Sequence, residues 1–122
     1  MAASVTTQNN ALGAKVVEDT AATATAVTNV IGSSGTLYYV EVDNTNNSAA
    51  SYFKVYNATG PTVGTTAPDL ILRAPASTRE YFVFPTGIAF ATAISYACVT
   101  AAGTGGTGSP SSSVTIRLIA GE

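Results

Sequence analysis

The residues able to do chemistry are few, and the missing types are as informative as those present. The 122-residue chain has no histidine, a single cysteine at position 98, five basic and seven acidic side chains. Without histidine there is no Ser–His or Cys–His nucleophile pair, no ordinary general base near neutral pH and no imidazole metal ligand. The carboxylates are Glu18, Asp19, Glu41, Asp43, Asp69, Glu80 and Glu122. Glu41 and Asp43 stand two apart, so on a strand they share a face and come nearest to a paired-carboxylate centre. Lys54 is expected opposite Glu41, and a surface ion pair of at most about 1 kcal/mol is the simpler reading. The run DNTNN from Asp43 opens like a calcium loop. Ser48 stands where position six needs glycine, however, and Lys54 where position twelve needs a carboxylate. The glycine-rich stretch AGTGGTGS, residues 102–109, lacks the Lys-Ser/Thr ending of a phosphate loop and reads as a strand connection. Asn46-Asn47-Ser48 and Asn57-Ala58-Thr59 have the form of glycosylation acceptors and read as turns. Cys98 falls on the bulky face of its strand and reads as a small core residue. The expectation is a protein that is not an enzyme, with no catalytic residue, no metal site and no cofactor.

What remains is surface. Only 10% of the residues are charged, and the net charge is −2. Alanine (21) and threonine (19) together make about a third of the chain, a mixture that favours strands and turns. Charge keeps soluble proteins apart, so its scarcity points to a surface that meets other chains. The basic residues Lys15, Lys54, Arg73, Arg79 and Arg117 are scattered, which makes nucleic acid an unexpected partner. No positive segment followed by an apolar run marks the first twenty residues as a secretory signal, and no run reaches the length of a spanning helix. A lone cysteine suits synthesis in a reducing cytosol.

The elements that must position these residues are strands. Residues 1–22 carry no sustained apolar pattern and are expected as an extended arm, with a weakly signalled helical turn around 10–19. Residues 23–122 read as seven strands at 24–31, 36–44, 51–58, 69–74, 78–84, 88–101 and 113–120, separated by Gly, Pro, Asn and Ser clusters. The expected fold is all-β, an antiparallel β-sandwich of jelly-roll type. Pairing 36–44 with 51–58 as a hairpin places Val40 and Val42 against Val55 and Phe53, with Glu41 opposite Lys54 and Tyr39 opposite Tyr56. In TREYFVF four large apolar residues are consecutive, Tyr81 to Phe84, which predicts a strand covered on both sides by the arm, a loop or another subunit. In the last strand Val114, Ile116 and Leu118 point in, while Thr115 and Arg117 point out.

The strand at 88–101 alternates Ile88, Phe90, Ile94, Tyr96 and Cys98 with Ala89, Ala91, Ala93, Ser95 and Ala97. Its shaved face, with Ala89, Ala91 and Ala93 at its centre, would admit close approach by an arm or a neighbour. Tyr39, Tyr52 and Tyr56 form a second candidate interface on the outer face of the expected hairpin.

GTLYYVEVDNT, SYFKVYNATG, the Pro85-Thr86-Gly87-Ile88-Ala89-Phe90 motif opening its strand, and the closing SSVTIRL together resemble small β-sandwich virion proteins of tailed phages. The resemblance spans roughly residues 35–118 and is a pattern of turns and apolar positions, with no site residue attached. It implies a head decoration or cement protein, made in the host cytoplasm and carried in the virion, whose partners are the major capsid protein and itself as a dimer or trimer. A tail-associated or carbohydrate-binding module, stacking sugars on the three tyrosines, is the alternative it leaves.

Overall fold

Alternating apolar side chains build the inner faces of two antiparallel sheets. The structure is a computed structural model and describes residues 3–7 and 15–121. It holds eight strands and, among the described residues, no helix. In chain order they are β1 (Ala3–Thr7), β2 (Lys15–Ala22), β3 (Gly35–Asp43), β4 (Ser51–Tyr56), β5 (Leu70–Ala74), β6 (Arg79–Phe90), β7 (Ser95–Val99) and β8 (Val114–Gly121). One sheet runs β1-β2-β8-β3-β6 and the other β5-β4-β7. Val17, Leu37, Val40, Val42, Ile116 and Leu118 of the first sheet share one core with Phe53, Val55, Leu72, Tyr96 and Cys98 of the second. The rings of Phe53 and Tyr96 lie 5.1 Å apart and tilted by 45°, a favourable aromatic geometry at the centre of that core. This is the expected all-β antiparallel sandwich, with eight strands in place of seven; the strand expected at 24–31 is not formed, that stretch making only an isolated bridge from Val27 to Tyr96, and β1 and β2 stand where no strand was expected.

Several local expectations are corrected. β3 and β4 do not pair: β3 lies between β6 and β8, whereas β4 lies between β5 and β7. Face parity was right for both strands, but the loop between them carries the chain from one sheet to the other. Phe53 therefore meets Cys98 and Leu72 in register, not Val42. The supposed arm is sheet wherever it is described: β1 pairs with β2 and β2 with β8, burying Val17 and Ala22 in the core. The helical turn expected at 10–19 is strand over 15–19, and its remainder lies outside the described residues. The single long strand at 88–101 is divided. β6 ends at Phe90, and after a four-residue break β7 begins at Ser95 in the other sheet. β6 itself passes through Pro85-Thr86-Gly87 without ending there, by way of a register shift. Gly87 makes that possible: its φ is +78°, and a Cβ there would collide with the side chains of Thr36 and Tyr38.

The asparagine run that opened like a calcium loop is a structural tie. Asn44 is fully buried, donates from Nδ2 to the carbonyls of Ala49 (2.9 Å) and Pro75 (3.0 Å), and accepts at Oδ1 from Ser51 Oγ (2.7 Å) and Asn47 Nδ2 (2.9 Å). Asn47 Oδ1 in turn accepts from the Ser112 amide at 2.7 Å. Three loops are thereby fixed to one end of the sandwich by polar groups that satisfy one another.

Candidate functional site

The outer face of the five-stranded sheet carries two parallel rows that the registers place side by side. One runs Ser4, Glu18, Arg117, Glu41, Tyr81, and the next runs Thr6, Val16, Ile119, Tyr39, Val83. The first row is ionic. Arg117 donates from Nε to Glu18 at 2.8 Å and from Nη1 to Glu41 at 2.7 Å. Arg79 extends the network, lying 3.8 Å from Glu41 and donating to Asp43 at 2.9 Å. The Thr45 hydroxyl and Arg79 hold the Asp43 carboxyl below its usual range, and the two glutamates hold the Arg117 guanidinium above its own. Each of the three carboxylates on this ladder is paired with one of two guanidinium groups, so little of its charge is left to draw a charged partner.

Only the β6 end of these rows is bare, at Val83 of the second row and Tyr81 of the first, whereas Val16, Ile119 and Tyr39 are half-buried. Val83 is 65% exposed and Tyr81 54%, although both belong to the four-residue run that predicted cover on two sides. Phe82 and Phe84 pack inward against the core as expected. Among the described residues nothing lies over their outward neighbours. Tyr39 and Tyr81 stand with ring centres 6.5 Å apart, and burial with the neighbouring Glu41 raises the Tyr39 hydroxyl's pKa. Where β6 shifts register, Tyr38, Tyr39, Val83, Phe84, Pro85 and Ile119 line a groove of about 260 Å³. β6 is also an edge strand of twelve residues, and no described strand pairs with its outer backbone groups. Pro85 is its one built-in interruption, removing a backbone donor.

The three-stranded sheet is the opposite case. Lys54, Tyr56, Ser95, Ala97 and Val99 share its outward parity, yet each is buried. The loops 57–68 and 100–113 fold over them. Lys54 Nζ donates to the Gly103 carbonyl at 2.5 Å, and Ser95 Oγ to that of Ala58 at 2.5 Å. Lys54 thus forms no pair with Glu41; none of the described ion pairs includes it, and burial lowers its pKa.

The interface residues expected from sequence are scattered by this arrangement. Tyr39 is half-buried on the bare sheet, Tyr52 is half-buried on the other, and Tyr56 is wholly buried with a hydroxyl that finds no partner among the described residues. The three cannot form one stacking platform. Ala89 and Ala91 are exposed but Ala93 is buried, because the strand that was to align them breaks between β6 and β7. Cys98 is a buried core residue, its thiol pushed up to about 12 by burial and by nearby Asp19. The sequence did carry the signal for the bare row, in the unbroken apolar run Tyr81–Phe84; the partners Ile119 and Val16 come only from the sheet registers. Comparison with protein-family models, with curated proteins and with solved structures finds no match for this chain.

Proposed function

We propose that this chain is a non-enzymatic virion structural protein, a decoration or cement protein of a phage head, which binds the shell through the outer face of its five-stranded sheet. The observation that carries a binding role is the pair Tyr81 and Val83, large apolar side chains 54% and 65% exposed on a long edge strand beside an apolar groove. An exposed apolar row bordered by polar groups is the usual composition of a protein–protein contact. The occupant that fits is an apolar strand or loop of the capsid protein, because the neighbouring charge ladder is already internally paired. The sequence resemblance supplies the virion setting, and the scarcity of charge fits a surface that is largely covered after assembly. Self-association into a dimer or trimer belongs to the same reading.

The test is the copy number of this protein in purified particles, by quantitative mass spectrometry against the major capsid protein. Hundreds of copies in simple ratio to the capsid protein are expected. A few copies would move the protein to the tail, and none would overturn the virion role.

A further inference from the structure

Asp19 is the most deeply buried acidic side chain among the described residues, at 1% exposure. β2 bulges just beyond it: Asp19 opposes Ile116, and Ala22, three residues on, opposes Val114 two residues back. The chain then leaves its sheet and runs beside β7. The Cys98 amide donates to the Thr23 carbonyl at 2.8 Å, and Val27 and Tyr96 exchange backbone bonds of 2.8 and 2.9 Å. A cleft of about 390 Å³ opens at this crossing, lined by Asp19, Ala21, Thr23, Thr25, Ala26, Val27 and Thr28. The Asp19 carboxylate accepts from Tyr96 Oη at 2.8 Å and from the Ala21 amide at 3.0 Å. None of the described ion pairs supplies it with a cation. Two neutral donors orient the carboxylate, and among the described residues no cationic side chain pairs with it.

The lining decides which cation. A calcium ion takes six to eight oxygens and ordinarily several carboxylates. Among the described residues no three His, Cys, Asp or Glu side chains gather anywhere. The cleft is also far larger than an ion, and its alanine and valine walls offer an ion nothing. A sugar would find no aromatic ring to stack on. A primary alkylammonium fits this lining best: one positive charge for the one, barely exposed carboxylate, N–H donors for oxygens of a cleft lined by Asp19 and three threonines, and a carbon stem for Ala26 and Val27. We propose that this cleft binds a primary alkylammonium group, with Asp19 as its counter-ion. The group belongs either to a lysine side chain of a partner protein or to a free aliphatic amine. This site is independent of the bare sheet face and of the virion reading.

The test is a titration of the isotope-labelled protein with n-butylammonium chloride, read by amide chemical shifts, with potassium chloride and calcium chloride in parallel. Saturable shifts confined to residues 19–28 and Tyr96, absent with potassium, are expected. Asp19→Asn, which preserves shape, should weaken binding about tenfold or more, the loss of a charge-assisted contact. Should that variant fail to fold, Ala26→Leu keeps the carboxylate and fills the cleft, and should abolish the shifts. Nα-acetyl-lysine methylamide separates the two sources: binding at least as tight as butylammonium assigns the site to a partner's lysine, and exclusion of the peptide unit assigns it to free amines. Identical responses to butylammonium and potassium, or saturation by calcium alone, would overturn the proposal.

Discussion

The two outer faces of the sandwich solve the same problem in opposite ways. Each sheet must dispose of the side chains that its inner face does not need. The chain's own loops cover the β4 and β7 part of the three-stranded sheet, so that Val99, Ala97 and even Lys54 are buried, while Ile71 on edge strand β5 stays 41% exposed. The five-stranded sheet pairs its charges along Glu18, Arg117, Glu41 and Arg79, and leaves Val83 and Tyr81 in solvent. Val83 and Tyr81 are thus kept on a face where the described residues supply no cover, while a lysine is kept where they supply too much. Stability alone explains neither choice. The partner proposed for the bare face would explain the first.

The largest effect that would sharpen this contrast is a charge placed under the loops. Val99→Lys buries an unpaired ammonium and should cost about 3–5 kcal/mol or prevent folding, read by chemical denaturation. Its counterpart Val83→Lys, on the bare face, should change stability far less. A loss for Val99→Lys no larger than that counterpart's would mean that the loops lie open in solution.

Lys54→Met comes next, with the opposite sign. Exchange of an unpaired buried ammonium for an apolar side chain of similar length should raise stability by about 1 kcal/mol at neutral pH. Because the folded-state pKa of Lys54 is lowered, the native protein binds this proton less tightly than the unfolded chain does. Wild-type stability should therefore rise with pH between that lowered value and the unfolded lysine value of about 10.4, and Lys54→Met should lack this rise. A stability loss in Lys54→Met would instead make the Gly103 contact the anchor of loop 100–113.

Arg117→Ala removes the centre of the ladder and leaves Glu18 and Glu41 facing each other across it. Its side chain is 42% exposed, so the loss should stay near 1 kcal/mol and shrink in high salt. A loss of several kcal/mol that salt does not change would mean the ladder is buried in a dimer. Val83→Lys should alter the stability of the free protein by less than about 0.5 kcal/mol, as an exposed substitution does, while abolishing attachment to particles. Wild-type attachment by this variant would place the contact elsewhere on the molecule.

What was legible in the sequence was parity. Val114, Ile116 and Leu118 alternate with Thr115 and Arg117, Val40 and Val42 flank Glu41, and the structure keeps every one of these on its expected side. Partnership was not legible, because alternation fixes which face a residue takes and not which strand lies beside it. Glu41 therefore found Arg117, seventy-six residues away, in place of Lys54. β2 was hidden because Glu18 and Asp19 are adjacent, which breaks the alternation and turns one carboxylate inward. Lys54 was misplaced for a related reason: on a strand of the right parity, cover by a distant glycine-rich loop leaves no local trace. The bare row was half legible. Its apolar run announced that cover was needed, and only the fold showed that the described chain withholds it.

Hydroxyl-radical footprinting of the protein, free and in purified particles, tests the central claim most directly, because Tyr81 is both reactive and exposed. Strong oxidation of Tyr81 in the free protein and protection in the particle, with Ile71 on the other sheet unchanged, is the predicted result. Equal oxidation of Tyr81 in both states would contradict the claim that the uncovered face of the five-stranded sheet is where this protein binds.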